Sequence, residues 1–397
     1  MARPSLVRPL VAALLALALV AAGCGGGAGK SIGPVVGKGG GEKSAATDLG
    51  FPVFATKNTT RVGGGDPVAD AAGVARAVYS GTTSATRPTA VALVNSGDWR
   101  AGVAAAVLMS PPIRAPILLS DSGGLPAASS SALSSLDPTG SKPARGAQVI
   151  RVGNVAKPGD RKSASIAGKS PAALAQAIDR FQTAAVGRSS DRVLIVSSDQ
   201  PAFAMPAAAW AAKAGDPVLF VTRDAIPRET LAALRAHQQP KIYVLGPSSA
   251  VSDKVLGQLR RLGTVRRISG RDPVTNAIAF ARYVDGNFGW GVVDPGHGLV
   301  FANADRPLDA AAAAPLSSAG TYGPLLLTSG GHLPVPLVQY LLDIQPGYAK
   351  DPVRGVYNHG WLMGDEGAIS AADQSRIDSL LEIVPVSASG GASQPAS

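Results

Sequence analysis

The chain has 397 residues, 46% of them hydrophobic, so it can bury a sizeable core. Only 16% are charged and 5% aromatic, and a single cysteine excludes an intramolecular disulfide. The formal charge of +10, or +8 once a leader carrying Arg3 and Arg8 is removed, points to a polyanionic partner: nucleic acid, anionic lipid or anionic wall polymer.

The first elements choose among these. Arg3 and Arg8 precede a continuous apolar run over residues 10–22, which is too short to span a bilayer and has the shape of a secretory signal. Leu19-Val20-Ala21-Ala22-Gly23-Cys24 resembles a bacterial lipobox, with Ala21 where leucine is commoner. Residues 1–23 are therefore expected to be a lipoprotein signal, with acyl chains on Cys24 holding the exported protein at the membrane. Export removes nucleic acid from the list, and no basic helix interleaved with aromatics argues for it. No later segment offers 18 uninterrupted apolar residues. Residues 24–50, rich in Gly, Lys and Ser, read as a flexible tether, with order expected from about Phe51.

From there one pattern occurs three times. Arg61-Val62-Gly63-Gly64-Gly65-Asp66-Pro67, Ile166-Ala167-Gly168-Lys169-Ser170-Pro171 and Arg267-Ile268-Ser269-Gly270-Arg271-Asp272-Pro273 each precede an alanine-rich helical pattern. The aligned glycines Gly64, Gly168 and Gly270 lie 104 and 102 residues apart. That period is too long for a solenoid and suits three domain-sized units. Asp66, Ser170 and Asp272 stand as N-caps, with Pro67, Pro171 and Pro273 at the first helical position, so strand, turn and helix are expected in each copy.

Each copy continues in the same order. A buried strand comes first (residues 90–94, 192–196, 299–302), then an acid (Asp98, Asp199, Asp305) and an alanine-rich helix. A proline-led second strand follows (116–120, 217–221, 324–328), then a Leu-Pro or Ile-Pro turn into another helix, and a last strand ending at Gly153, Gly246 or Gly364. Strands alternating with helices predict parallel sheets and an α/β fold built of three tandem units. A fourth helix fits over residues 252–262 and 371–382. The 15 residues from Gly153 to Gly168 leave no room for it in the first copy. The third copy carries extra loop at 284–298 and 345–357. The expected division is 51–164, 165–266 and 267–384, with a Ser/Gly-rich disordered tail over 385–397.

These features resemble the cell wall-binding repeat 2 family of bacterial surface proteins. The resemblance rests on Arg267-Ile268-Ser269-Gly270-Arg271-Asp272, on Leu308-Asp309-Ala310 before an alanine-rich helix, on Ala115-Pro116-Ile117-Leu118-Leu119, and on the strand ending at Gly246 before Ala250-Val251-Ser252. It covers about residues 55–384. It implies three α/β modules packed as a pseudo-threefold triangle, within a monomer, that bind anionic wall polysaccharide noncovalently. The departures are specific. Leu-Asp-Ala stands in the third copy only, and Ile117-Leu118-Leu119, part of the family signature, is intact only in the first.

Charge suggests where a polymer would bind. Residues 138–170 hold seven Lys/Arg against Asp160 alone, and residues 254–271 hold six and no acid. Arg161, Lys162, Lys169, Arg266, Arg267 and Arg271 are therefore candidate polymer ligands, with Arg61 at the matching place in the first copy. Ser170 is a neutral cap behind Lys169, whereas Asp66 and Asp272 already place negative charge at the other two helix starts, so Lys169-Ser170 is the best anion position of the three. Ile117, Leu118 and Leu119 are read first as sheet core and second as ligand contacts. Trp99 is read first as a packed rim residue and second as a sugar-stacking platform.

Signals for catalysis are thin. His297, His332 and His359 fall in the third copy with Asp305 and Asp309, without metal-ligand spacing, and no cofactor motif appears. The function expected is noncovalent wall-polymer binding without catalysis. A solute-binding lipoprotein with a small-ligand cleft, or an enzyme built on the third copy, remain the alternatives.

Overall fold

The computed structural model describes residues 54–386. The leader, Cys24, the tether and the tail from 387 onward lie outside the described residues. In chain order the first elements are β1 (Phe54–Ala55), β2 (Thr59–Val62), α1 (Pro67–Val78), β3 (Val91–Asn95), α2 (Trp99–Ala105), β4 (Ile117–Ser120), α3 (Ala127–Leu136), β5 (Val149–Val152) and β6 (Ser163–Ile166). The middle part runs α4 (Pro171–Val186), β7 (Arg192–Ser197), α5 (Pro201–Ala214), β8 (Val218–Val221), α6 (Arg228–Ala236), β9 (Lys241–Leu245), α7 (Asp253–Leu259) and β10 (Thr264–Ile268). The last part is α8 (Pro273–Arg282), β11 (Gly298–Asn303), α9 (Leu308–Pro315), β12 (Leu325–Thr328), α10 (Val335–Asp343), β13 (Gly347–Tyr348), β14 (His359–Met363), α11 (Ala371–Leu381) and β15 (Val384–Pro385).

The repeated segment folds as its residues require. Asp66 accepts from the N–H of Val68 and Ala69, Ser170 from Ala173 and Asp272 from Thr275, and each is followed by proline at the first helical position. The fourth helix is present as α7 and α11, and residues 153–162 of the first copy form none, as the spacing predicts.

Three principal sheets share one order: β4-β3-β5-β6, β8-β7-β9-β10 and β12-β11-β14-β2. All these pairings are parallel, and only β1, added antiparallel to β2, breaks the pattern. The strand that opens each repeated segment joins the sheet before it, while the helix after it packs onto the next: α1 on β4, α4 on β8, α8 on β12. The expected boundaries at 164/165 and 266/267 therefore fall inside β6 and β10. The third sheet has no following copy to complete it, so β2 returns from the start of the chain to pair with β14, Thr59 opposite Gly360 through Val62 opposite Met363.

Strands β3, β4, β7, β8, β11 and β12 are covered on both faces, which is why they are apolar without alternation, whereas the edge strands β6 and β10 are more polar and partly exposed. Ile117 and Leu119 point into the inner core, and Leu118 points into an outer one with Leu133 and Leu136. Each is fully buried, a contribution of about 1.5–3 kcal/mol per side chain. Helices α2, α5 and α9 follow the first strand of each sheet and pack on one another at the centre. Their small residues permit close approach: a Cβ on Gly102 would lie 2.8 Å from Ala311 Cβ.

Candidate functional site

Because α2, α5 and α9 all leave from strand C-termini, the three sheets present their strand ends to one side of the molecule. Contacts between neighbours on that side confirm it. Arg100 Nε donates to the Ser198 carbonyl at 2.6 Å, and Trp99 packs edge-on against Phe220 of the second sheet with ring centroids 6.0 Å apart. Arg306 ion-pairs with Asp70 of α1, and its Nε lies 2.8 Å from Asp309 Oδ2, at an angle too oblique for a hydrogen bond. Burial pushes the Asp70 carboxyl well up, helped by the Asp309 charge and opposed by Arg306. Asp309 is raised by the same loss of solvent. This cluster binds the first helix to the third sheet.

Among the described residues, no arginine following a strand end is seen to bridge the second and third sheets in this way. A cleft of about 460 Å³ remains there, lined by Asp199, Gln200, Phe203, Pro273, Asp305 and Pro307. Its two carboxylates make it a poor seat for an anion.

A second groove, of about 480 Å³, lies on the outer face of the first sheet, where the fourth helix is missing. One wall is Ser130, Leu133 and Ser134 of α3, and the other is residues 156–161, the loop that runs where α7 runs in the second sheet. Gly123 and Gly124 close the end near the strand C-termini. Lys157 and Asp160 are exposed beside it, and Arg161 holds Asp137 at 3.2 Å, a carboxylate shared with Arg87. The groove is polar, open and sugar-sized, with a cationic rim.

The expected binding residues divide sharply. Lys162, Lys169, Ser170, Arg266 and Arg271 are exposed. Ser170 Oγ is already engaged, accepting the Ala173 N–H at 3.1 Å. Arg61 is not available: it is 3% exposed, and its guanidinium donates to Gln374 Oε1 and to the carbonyls of Gly364, Asp365 and Ile369. Arg267 repeats that role, donating to the Gly246 carbonyl and to Asp253, so both arginines tie the end of a strand to the fourth helix. Where that helix is lost the aligned residue is Ser165. Ile117, Leu118 and Leu119 are wholly buried, so contact with a polymer is closed to them. Trp99 is half-buried, with Arg100 stacked 4.7 Å from its ring.

The third-copy histidines do not converge. His297 pairs with Asp294 at 3.0 Å, His359 meets Thr60 Oγ1 at 3.0 Å, and His332 is exposed in the loop before α10. Lys157 as a groove residue, and Asp70 and Arg306 as a junction pair, were not singled out from sequence. The signal for Asp70 was there: the aligned positions are Leu174 and Asn276, and only Asp70 faces an arginine across a junction.

Residues 166–256 match the family model of cell wall binding domain 2 (CWB2). Over that segment the chain is similar to the CWB2 family. The matched segment starts at the last residue of β6 and ends within α7, so it contains three of the four strands of the second sheet. The chain is also 29% identical to the amidase enhancer of Bacillus subtilis (strain 168) over 160 residues, 39% of the chain and 21% of that relative. Among solved structures it is similar to Cwp6 from Clostridium difficile, with a TM-score of 0.65, and to Cwp8 from the same organism, at 0.62. Each is 19% identical over 82% of this chain, which spans about half of either one (48% and 52%). That likeness is one of fold. The first and third sheets repeat the strand order of the CWB2 segment.

Proposed function

We propose that the chain is an exported envelope protein, held at the membrane by acyl chains on Cys24, that binds an anionic cell-wall polysaccharide noncovalently and without catalysis. The CWB2 segment, whose sheet order recurs on either side of it, carries this reading. The groove left by the absent fourth helix supplies a place for the polymer. Lys157 and Arg161 rim it, Lys162 follows with its ammonium beside Gly146, and Lys169 stands exposed beyond β6. Arg266 and Arg271 form a second basic stretch along the outer edge of β10. Shallow grooves with mobile cations suit a repeating polyanion, because many weak contacts add along its length.

The test is binding to purified walls with and without their anionic polymers, across a salt titration. At low salt, Lys157→Glu and Lys169→Glu are each expected to weaken binding about fivefold, the equivalent of roughly 1 kcal/mol per exposed charge contact. The difference should fade as salt screens the charges. Two variants that bind as tightly as wild type, or wild-type binding indifferent to salt and to removal of the polymer, would overturn the reading.

A further inference from the structure

At the opposite side of the molecule, where the strands begin, the third sheet differs from the other two. Of the eleven exposed large apolar side chains among the described residues, eight lie at this end of the third sheet, and Val284, Val293, Leu342, Val353, Val356 and Tyr357 form most of the set. Five of those six belong to the two extra loops, 284–298 and 345–357, that the other copies lack. They are held together. Val356 packs over Gly296, Tyr340 Oη donates to the Val292 carbonyl at 3.0 Å, and Arg282 joins Asp343 across the patch. A set of this kind on a soluble body marks a contact surface.

The chemistry around it selects the occupant. The exposed acids of the patch are met by bases: Asp294 by His297, Asp343 by Arg282 and Asp351 by Arg354. On the same side, the loops before the strands of the first two sheets expose Arg114, Lys142, Arg145, Arg188 and Arg260 against Asp191, while Lys241, opening β9, lies 3.8 Å from Asp285 of the first extra loop. Apolar tips beside a field of cations fit an anionic bilayer, since apolar tips find hydrocarbon there and the cations find headgroup charge. A wall polysaccharide has no apolar phase to receive the tips.

We propose that the strand-start side of the third sheet docks on an anionic lipid bilayer through the tips of its two extra loops. This rests on the membrane-anchored reading given above. The test is flotation with vesicles of phosphatidylcholine containing phosphatidylglycerol, using a chain that starts at Gly25. That chain lacks the apolar leader and Cys24 and keeps every residue of the described body. It is expected to float with the anionic vesicles and less with phosphatidylcholine alone. Val284→Asp combined with Val353→Asp, at positions 64% and 80% exposed, should lower the partition at least about tenfold while wall binding stays intact. Val293→Ser with Tyr357→Ser, a milder pair, should act in the same direction. Lys157→Glu should float as wild type, which separates this face from the wall-binding groove. Wild type that stays unbound, or aspartate variants that float as well as wild type, would overturn the proposal. So would a wild-type dimer in sedimentation equilibrium that the aspartate pair dissolves without any flotation, since the face would then belong to a second copy.

Discussion

Gly270 is repeated for what it leaves out. A Cβ there would lie 2.2 Å from the Asn276 nitrogen, and on Gly168 a Cβ would lie 2.2 Å from the Leu174 nitrogen, because the loop backbone rests directly on the first turn of the helix. Gly64 is less confined, meeting only Ala69 Cβ at 2.8 Å. Gly270→Ala is therefore expected to destabilise the protein by about 1–3 kcal/mol, as overpacking does. Gly257→Ala, within α7 and with open space around it, should be neutral or slightly stabilising. Thermal melting of the two variants side by side checks this. The glycines, caps and prolines were legible in the sequence because they answer to local backbone geometry. The fate of Arg61 was not, because its four acceptors lie more than 300 residues away.

Between elements, His237 at the end of α6 joins α4 to the start of the second sheet. Its Nδ1 lies 2.8 Å from the Ser190 carbonyl and its Nε2 3.0 Å from Asp179 Oδ2. Two acceptors call for two ring protons. Burial works against the charged ring, yet the Asp179 carboxylate, the Ser190 carbonyl and the Asp216 charge together hold it above its ordinary value. A raised folded-state value gives stabilisation that is complete below the unfolded value near 6.5 and is lost as pH rises through the folded one. Wild type should therefore melt higher at pH 6 than at pH 8, by about 2 °C more than His237→Gln does over the same interval. A mutant with an unchanged pH dependence would refute the link. Elsewhere at this scale the strands and helices followed from apolar runs and proline punctuation. The gap after Gly153 announced the missing helix, but not that the vacated space would be a groove rimmed by Lys157 and Arg161. That depended on which side of the sheet α3 occupies.

For the molecule as a whole, Asp70, Arg306 and Asp309 link the first helix to the third sheet at a junction where both carboxylates are buried and the arginine is partly so. Two carboxylates share one guanidinium there, so ionising both would leave one negative charge in excess. Asn276 holds the same place as Asp70 in the last repeat and still accepts from the aligned glycine, Gly270, at 3.2 Å. Asp70→Asn should therefore be neutral or stabilising at pH 8, and Arg306→Met should cost about 3–5 kcal/mol by leaving two buried acids without their cation. Denaturant unfolding of both variants decides the matter. A strongly destabilised Asp70→Asn would mean that the second carboxylate is required. The threefold repetition was plain in the sequence. That β2 serves the last sheet was not, since nothing in Thr59–Val62 names a partner at Gly360–Met363.

That return of β2 sets an order of events. When a chain emerges from its N-terminus, Thr59–Val62 appears among the first residues of the body, yet its neighbour on β14 is made some 300 residues later. The first and second sheets can close as soon as their own segments exist. The strand at the beginning must wait for almost the whole chain, and loop closure over such a span is slow. The final folding step should therefore join the two ends at once, and a chain interrupted before β14 leaves β2 with an open edge at its start.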